Sequence, residues 1–151
     1  MGAMETELPM RDFPGTGALA DLAPPVTAAT EPQAEALRRG RLLFQVCGNC
    51  GRWRALVAPV CPHCAAERWK WRAARGGGTV VSWVRYHRAY VEHYQALVPY
   101  VVLCVEMEEG FRIFGRLAQG DAPAIGERVS AIVERWADGG LAPAFVAAKE
   151  S

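Results

Sequence analysis

Cys47-Gly48-Asn49-Cys50, a ten-residue spacer, and Cys61-Pro62-His63-Cys64 form the stretch that decides how this 151-residue chain folds. Two C-x-x-C pairs so close in sequence supply four thiolates. A tight turn between positions i and i+3 folds each pair back, so that its sulfurs converge on one ion. Gly48 and Gly51 suit the turn of the first pair and Pro62 shapes that of the second, whereas Ala65 stands where such a knuckle often carries glycine. The pattern predicts a structural zinc site made by Cys47, Cys50, Cys61 and Cys64, closed to catalytic water because protein fills all four positions. A redox dithiol would need only one pair, set at a helix N-terminus. Four thiolates also accept iron.

Upstream of the cysteines, Thr30 to Gly40 reads as a short helix over 31–39. Thr30 is placed to cap it, Pro32 suits its first turn, and Glu31 and Glu35 favour its positive end. Glu35 reaches Arg38 or Arg39 at helical spacing, and Gly40 stops the helix. Arg41–Val46 then reads as a strand entering the first knuckle. Before Thr30, Pro9, Pro14, Pro24 and Pro25 with Gly15 and Gly17 leave no period, so residues 1–30 are expected to be an extended arm. Gly2-Ala3 ahead of Met4 reads as a vector-derived scar, with the natural start at Met4.

Downstream, Trp69 and Trp71 alternate with Arg68, Lys70 and Arg72, a period of two that predicts a strand with one aromatic and one basic face. Gly76-Gly77-Gly78 is expected to be a turn between modules. Beyond it come five β-like runs, 79–87, 100–107, 111–117, 128–136 and 141–147, with Glu109-Gly110 and Asp138-Gly139-Gly140 as turns. A Tyr-rich loop, 89–99, separates the first two runs. Five short strands spaced by turns suggest a small Greek-key barrel, the class that includes the OB fold. The expected architecture is mainly β: an arm over 1–30, a helix and rubredoxin-like zinc ribbon over 31–75, and a five-stranded OB-fold barrel over 76–151.

Net charge is +1, but unevenly spread. Residues 38–75 carry nine Lys or Arg against one Glu, while 1–37 and 89–151 are acidic. The ribbon is thus a basic island suited to an anionic group. No apolar run reaches the roughly 18 residues of a membrane helix, and the N-terminus lacks the basic and apolar regions of a signal peptide. A reducing, cytoplasmic setting is expected, in which paired cysteines bind metal. Cys104, inside an apolar run, reads as a small buried hydrophobe. His63 is expected to face solvent rather than the metal. His87 and His93 flank the Tyr-rich loop without a nucleophile–base pair.

Taken in order, a short helix, R-G-R-L-L-F-Q-V-C-G-N-C-G, C-P-H-C, G-G-G-T-V-V-S-W, L-V-P-Y-V-V-L-C-V-E-M-E-E-G-F-R-I-F-G and a late I-G-E-R-V resemble the zinc-ribbon/OB-fold acyl-CoA-associated proteins, from Thr30 to the C-terminus. That resemblance implies a subunit without catalytic residues of its own. Its implied partner is a thiolase-superfamily enzyme: a thiolase, a lipid-transfer-type thiolase-like aldolase or a hydroxymethylglutaryl-CoA synthase assembly, with steroid side-chain or aromatic degradation as settings. It also implies a hetero-oligomer and a coenzyme A thioester as ligand.

The residues agree with such a ligand. Coenzyme A carries phosphates that Arg and Lys bind through charge-assisted hydrogen bonds. Arg52, Arg54, Lys70 and Arg72 are the candidate phosphate ligands, with Arg68 and Arg75 beside them. Trp69 and Trp71, with Trp53, are the candidate adenine stackers. The plain structural alternative is that these tryptophans cover a small ribbon core. Tyr90, Tyr94 and Tyr100 are candidates for a partner surface. The competing class is a single-stranded nucleic-acid-binding OB fold; the acidic barrel segment and near-neutral chain argue against it.

Overall fold

The structure, a computed structural model, describes residues 7–148; the Met1–Met4 reading lies outside them. Among the described residues the chain is mainly β. The elements are β1 (Met10–Asp12), α1 (Glu31–Arg38), β2 (Leu42–Cys47), β3 (Trp53–Arg54), β4 (Trp69–Ala74), β5 (Gly77–Tyr86), β6 (Tyr100–Met107), β7 (Arg112–Arg116), β8 (Arg128–Arg135) and β9 (Leu141–Ala147). Short 3-10 segments lie at Leu19–Asp21 and Glu92–Leu97.

The helix forms where its signals fall, with Pro32 in the first turn and Glu35 paired to Arg38 at 2.7 Å and Arg39 at 3.3 Å. Thr30 departs from expectation. Its hydroxyl makes no cap bond to the helix and instead accepts from the Thr27 amide at 2.9 Å, tightening the turn before α1. Gly40, at φ +72°, ends the helix and feeds β2.

β2 is the centre of a three-stranded antiparallel sheet, β3-β2-β4, that carries the cysteines. The second sheet holds the OB-like strands. β5, β6 and β7 form an antiparallel meander, β8 pairs β5 over Gly77–Thr79, and β9 pairs β8. The closed barrel expected from five strands is realised as a sheet whose two ends meet without a continuous ladder. Leu117 bridges Phe145 in parallel, and the Ala118 amide donates to the Phe145 carbonyl at 2.7 Å. Val80, Leu103, Val105, Val133 and Phe145 are fully buried inside. The core is continuous into the ribbon through Leu42, Phe44 and Ala74.

Two readings need correction. The arm docks over its described part. β1 runs parallel to β8 along Val133–Arg135, the stretch of that edge beyond the β5 pairing. Leu8 and Phe13 are buried, and the Phe13 ring stacks on Trp136 with centroids 3.6 Å apart. The chain thereby covers an edge that would otherwise present unpaired amides. The glycine run is not a free turn either, since Gly77 and Gly78 open β5. Gly78 is required by close approach: a Cβ there would meet the Glu106 carbonyl oxygen at 2.8 Å and crowd the Val105 side chain.

Gly78→Ala is therefore expected to destabilise the protein by about 1–3 kcal/mol, read as a lower denaturant midpoint at unchanged m-value.

Candidate metal centre and ribbon–barrel cleft

β2 ends at Cys47, and the chain turns through Gly48-Asn49 to Cys50 before returning as β3. The Asn49 and Cys50 amides donate to Cys47 Sγ at 3.3 and 3.4 Å, and the His63 amide donates to Cys61 Sγ at 3.4 Å. These bonds define two knuckles whose four sulfurs lie within 4.8 Å of one another. Cys47 and Cys64 Sγ are 3.6 Å apart, and Cys50 and Cys61 Sγ 3.7 Å. A tetrahedron with metal–sulfur bonds of about 2.3 Å has edges of about 3.8 Å, so the donor set fits zinc. A zinc ion held by four thiolates organises the loops and leaves no position for water. Cys104 lies apart, buried in β6. His63 is exposed, with Nδ1 2.6 Å from Arg52 Nη1.

The thiols divide electrostatically. The Cys50 and Asn49 amides hold Cys47 down at about 5. Backbone bonds from Cys64 and His63 lower Cys61. The Arg52 amide lowers Cys50, but burial and the neighbouring thiolates outweigh it and push Cys50 up to about 11. Four like charges crowd together unless a cation joins them.

Ala65 closes the second knuckle at φ +63°. Its amide donates to the Cys61 carbonyl at 2.9 Å, the position a glycine would fill without strain.

The structure separates the other predicted site residues. β2–β4 register places Trp69 opposite Cys47 and Trp71 opposite Gln45, whereas Lys70 faces Val46 and Arg72 faces Phe44. Trp69 and Trp71, 5.1 Å apart edge to face, thus share the Gln45 face. Lys70 and Arg72 share the face toward Trp53, with the Arg72 guanidinium 5.7 Å from the Trp53 ring centroid. No single small ligand contacts both sets. Arg54 also departs from the expected role. It is buried, its Nη1 donating to the Ala58 carbonyl at 2.8 Å and lying 3.4 Å from Gln45 Oε1. It ties the ribbon loop to β2 rather than presenting its charge to an external phosphate.

On the barrel side of the ribbon, Trp53 stacks on Phe111 at 5.5 Å and Phe44 meets Phe111 edge on at 4.7 Å. Above this aromatic contact is a cleft of about 850 Å³ whose polar walls include Arg52, His63, Glu109 and Arg112. Arg112 and Phe111 were invisible as cleft residues in the sequence, because only tertiary packing brings the β6–β7 turn against the knuckle.

Comparison with known proteins agrees with this architecture. The family model described as "ChsH2, rubredoxin-like zinc ribbon domain" matches residues 34–69, and that described as "ChsH2, C-terminal OB-fold domain" matches 71–134. A solved structure described as "Ltp2-ChsH2(DUF35) aldolase" is similar at 31% identity and a TM-score of 0.72, covering 84% of this chain and 100% of that one. A DUF35-family protein of unknown function from Sulfolobus solfataricus shares the fold at 15% identity and TM-score 0.54, over 72% of this chain and 78% of its own. A "Probable enoyl-CoA hydratase alpha subunit" from Thermomonospora curvata is 38% identical over 89 residues, 59% of this chain. The chain spans 27% of that relative's length.

Ala65→Gly relieves a left-handed alanine and is expected to stabilise by about 1 kcal/mol, measured as a raised midpoint of thermal unfolding. Metal affinity is expected to fall as pH falls. At neutral pH the Cys50 thiol must give up its proton to bind, and below about 5 the Cys47 thiol must too. Chelator competition between pH 8 and pH 5, with a pH dye to register proton release on loading, checks both statements.

Proposed function

The chain belongs to the ChsH2 (DUF35) family, and from that membership we propose that it is an accessory subunit of a thiolase-superfamily enzyme, a thiolase or thiolase-like aldolase, that acts on acyl-CoA. The observation that carries this reading is the similarity, over the whole length of the other chain, to the structure described as an Ltp2-ChsH2 aldolase. The metal centre supports a non-catalytic role, since its four protein ligands leave no open coordination position. Units bounded at 31–75 and 76–151 act as ribbon and barrel, and the barrel serves as the platform that presents the ribbon.

The cleft between them is the proposed coenzyme A contact. Arg52 supplies an exposed guanidinium group for phosphate, and His63 sits beside it. Arg72 and Lys70 extend the same charge along β4, and Trp53 offers a half-buried ring for adenine. Trp69 and Trp71, on the other face, belong to the ribbon's own packing. A steroid side-chain or aromatic degradation setting fits the aldolase relative, and a cytoplasmic location fits coenzyme A chemistry. Among the described residues no helix is long and apolar enough to cross a membrane.

Co-expression with a cloned Ltp2-type aldolase subunit is the test. The two chains are expected to co-elute as a hetero-oligomer that cleaves its acyl-CoA substrate, while this chain alone shows no turnover. Turnover by the isolated chain, or failure to co-elute, overturns the reading.

A further inference from the structure

The outward face of β5, β6 and β7 is laid out in three rows by the register. Tyr86 lies opposite Tyr100; Val84, Val102 and Arg116 form the next row; Ser82, Cys104 and Phe114 form the third. An antiparallel sheet face turned to water ordinarily carries polar side chains. Here Val84 is 51% exposed and Phe114 74% exposed, with half-buried Val102 between the strands that carry them. The tyrosines extend the apolar face. Tyr86 stacks on Tyr100 at 5.0 Å, Tyr100 on Tyr94 at 5.1 Å, and Tyr90, 75% exposed, meets Tyr86 edge on.

Two classes of macromolecule suit the second and third strands of an OB-like sheet, and charge decides between them. A nucleic acid needs unneutralised cations beside its stacking platforms. The two cations on β7 are already engaged. Arg112 Nε donates to Glu106 at 2.9 Å. Arg116 pairs with buried Glu134 and lies 5.4 Å from the Phe13 ring centroid. What remains is apolar and aromatic, the composition of the desolvated centre of a protein interface. At the tyrosine end, Arg88 lies over the Tyr90 ring at 5.8 Å and makes no ion pair among the described residues. The face spans roughly 20 Å along the strands and 14 Å across them. That is about a third of one partner's share of a standard interface, a size suited to its anchoring core.

We propose that this face, centred on Phe114, Val84 and Val102 and bordered by Tyr90 and Arg88, is the docking surface for the catalytic partner. The partner presents an apolar patch with a carboxylate opposite Arg88. The inference rests on the accessory-subunit reading and adds to it the surface used. It leaves the ribbon cleft, which the face does not include, open to ligand.

The experiment uses the full chain and the cloned Ltp2-type aldolase subunit. Phe114→Glu is expected to weaken the complex by about thirtyfold or more. Val26→Glu, a change at another exposed apolar residue on the N-terminal segment, is expected to leave it unaltered. Arg88→Glu is expected to slow association and flatten its salt dependence. Unchanged unfolding midpoints for the isolated variants show that the fold is kept. Independently of any variant, hydrogen exchange in β6 and β7 is expected to slow on complex formation. If the complex forms and Phe114→Glu binds like the parent, the surface assignment is overturned while the accessory role stands. If the parent forms no complex, the accessory reading fails and takes this inference with it. Two other results also overturn the assignment. One is a Phe114-dependent homodimer that leaves the heterocomplex intact. The other is single-stranded oligonucleotide retention abolished by Phe114→Glu.

Discussion

Four sulfur atoms held within 4.8 Å of one another are the constraint on which the ribbon depends. Only Cys47 lies on a strand, β3 has only two residues, and the loops between Arg54 and Trp69 that carry Cys61 and Cys64 have no regular structure to hold them. Without a cation, four thiolates in so small a space would repel one another. With one, attraction between the cation and each thiolate outweighs that repulsion, and binding free energy becomes folding free energy. A metal held there would fix where the neighbouring Arg52, Trp53 and His63 stand.

The ribbon is joined to the barrel by aromatic contact rather than by a linker. Phe44 and Trp53 pack on Phe111 at the β6–β7 turn, and β2 contributes Leu42 and Phe44 to the barrel's core. Aromatic pairs of this kind bury large areas in defined geometries, so the cleft above them has fixed walls. The N-terminal segment performs the same service at the other edge. β1 extends the pairing along β8, and Phe13 sits between Trp136, Tyr94 and Arg116. The β8 edge along Val133–Arg135 is thereby covered by the chain itself. The outward face of β5, β6 and β7 keeps Val84 and Phe114 exposed.

The cysteine spacing, the α1 signals and the alternation of β4 act locally, through turns of three or four residues or a repeat of two, and were legible for that reason. β1 was not. Met10-Arg11-Asp12 has no apolar alternation and lies between prolines, and it is a strand only because β8 offers an edge. Thr30 has the right residue type for a cap, yet Thr27 competes for its hydroxyl. Arg54 sits in a basic run that suggests ligand binding, and its burial follows from the register that sets it opposite Gln45. The tryptophans and cations of β4 were correctly assigned to opposite faces, but which face meets the barrel is a tertiary outcome.

The sequence by itself determined the metal ligands, the order of helix, ribbon and strands, and the family, because these are encoded in spacings that a short stretch of backbone can satisfy alone. Only the tertiary structure decided which cations remain available and which are engaged. Arg52 stands in a cleft, Arg54 is enclosed, and Arg112 and Arg116 are neutralised by Glu106 and Glu134. Charge pairing between residues distant in sequence depends on distances that no local pattern sets.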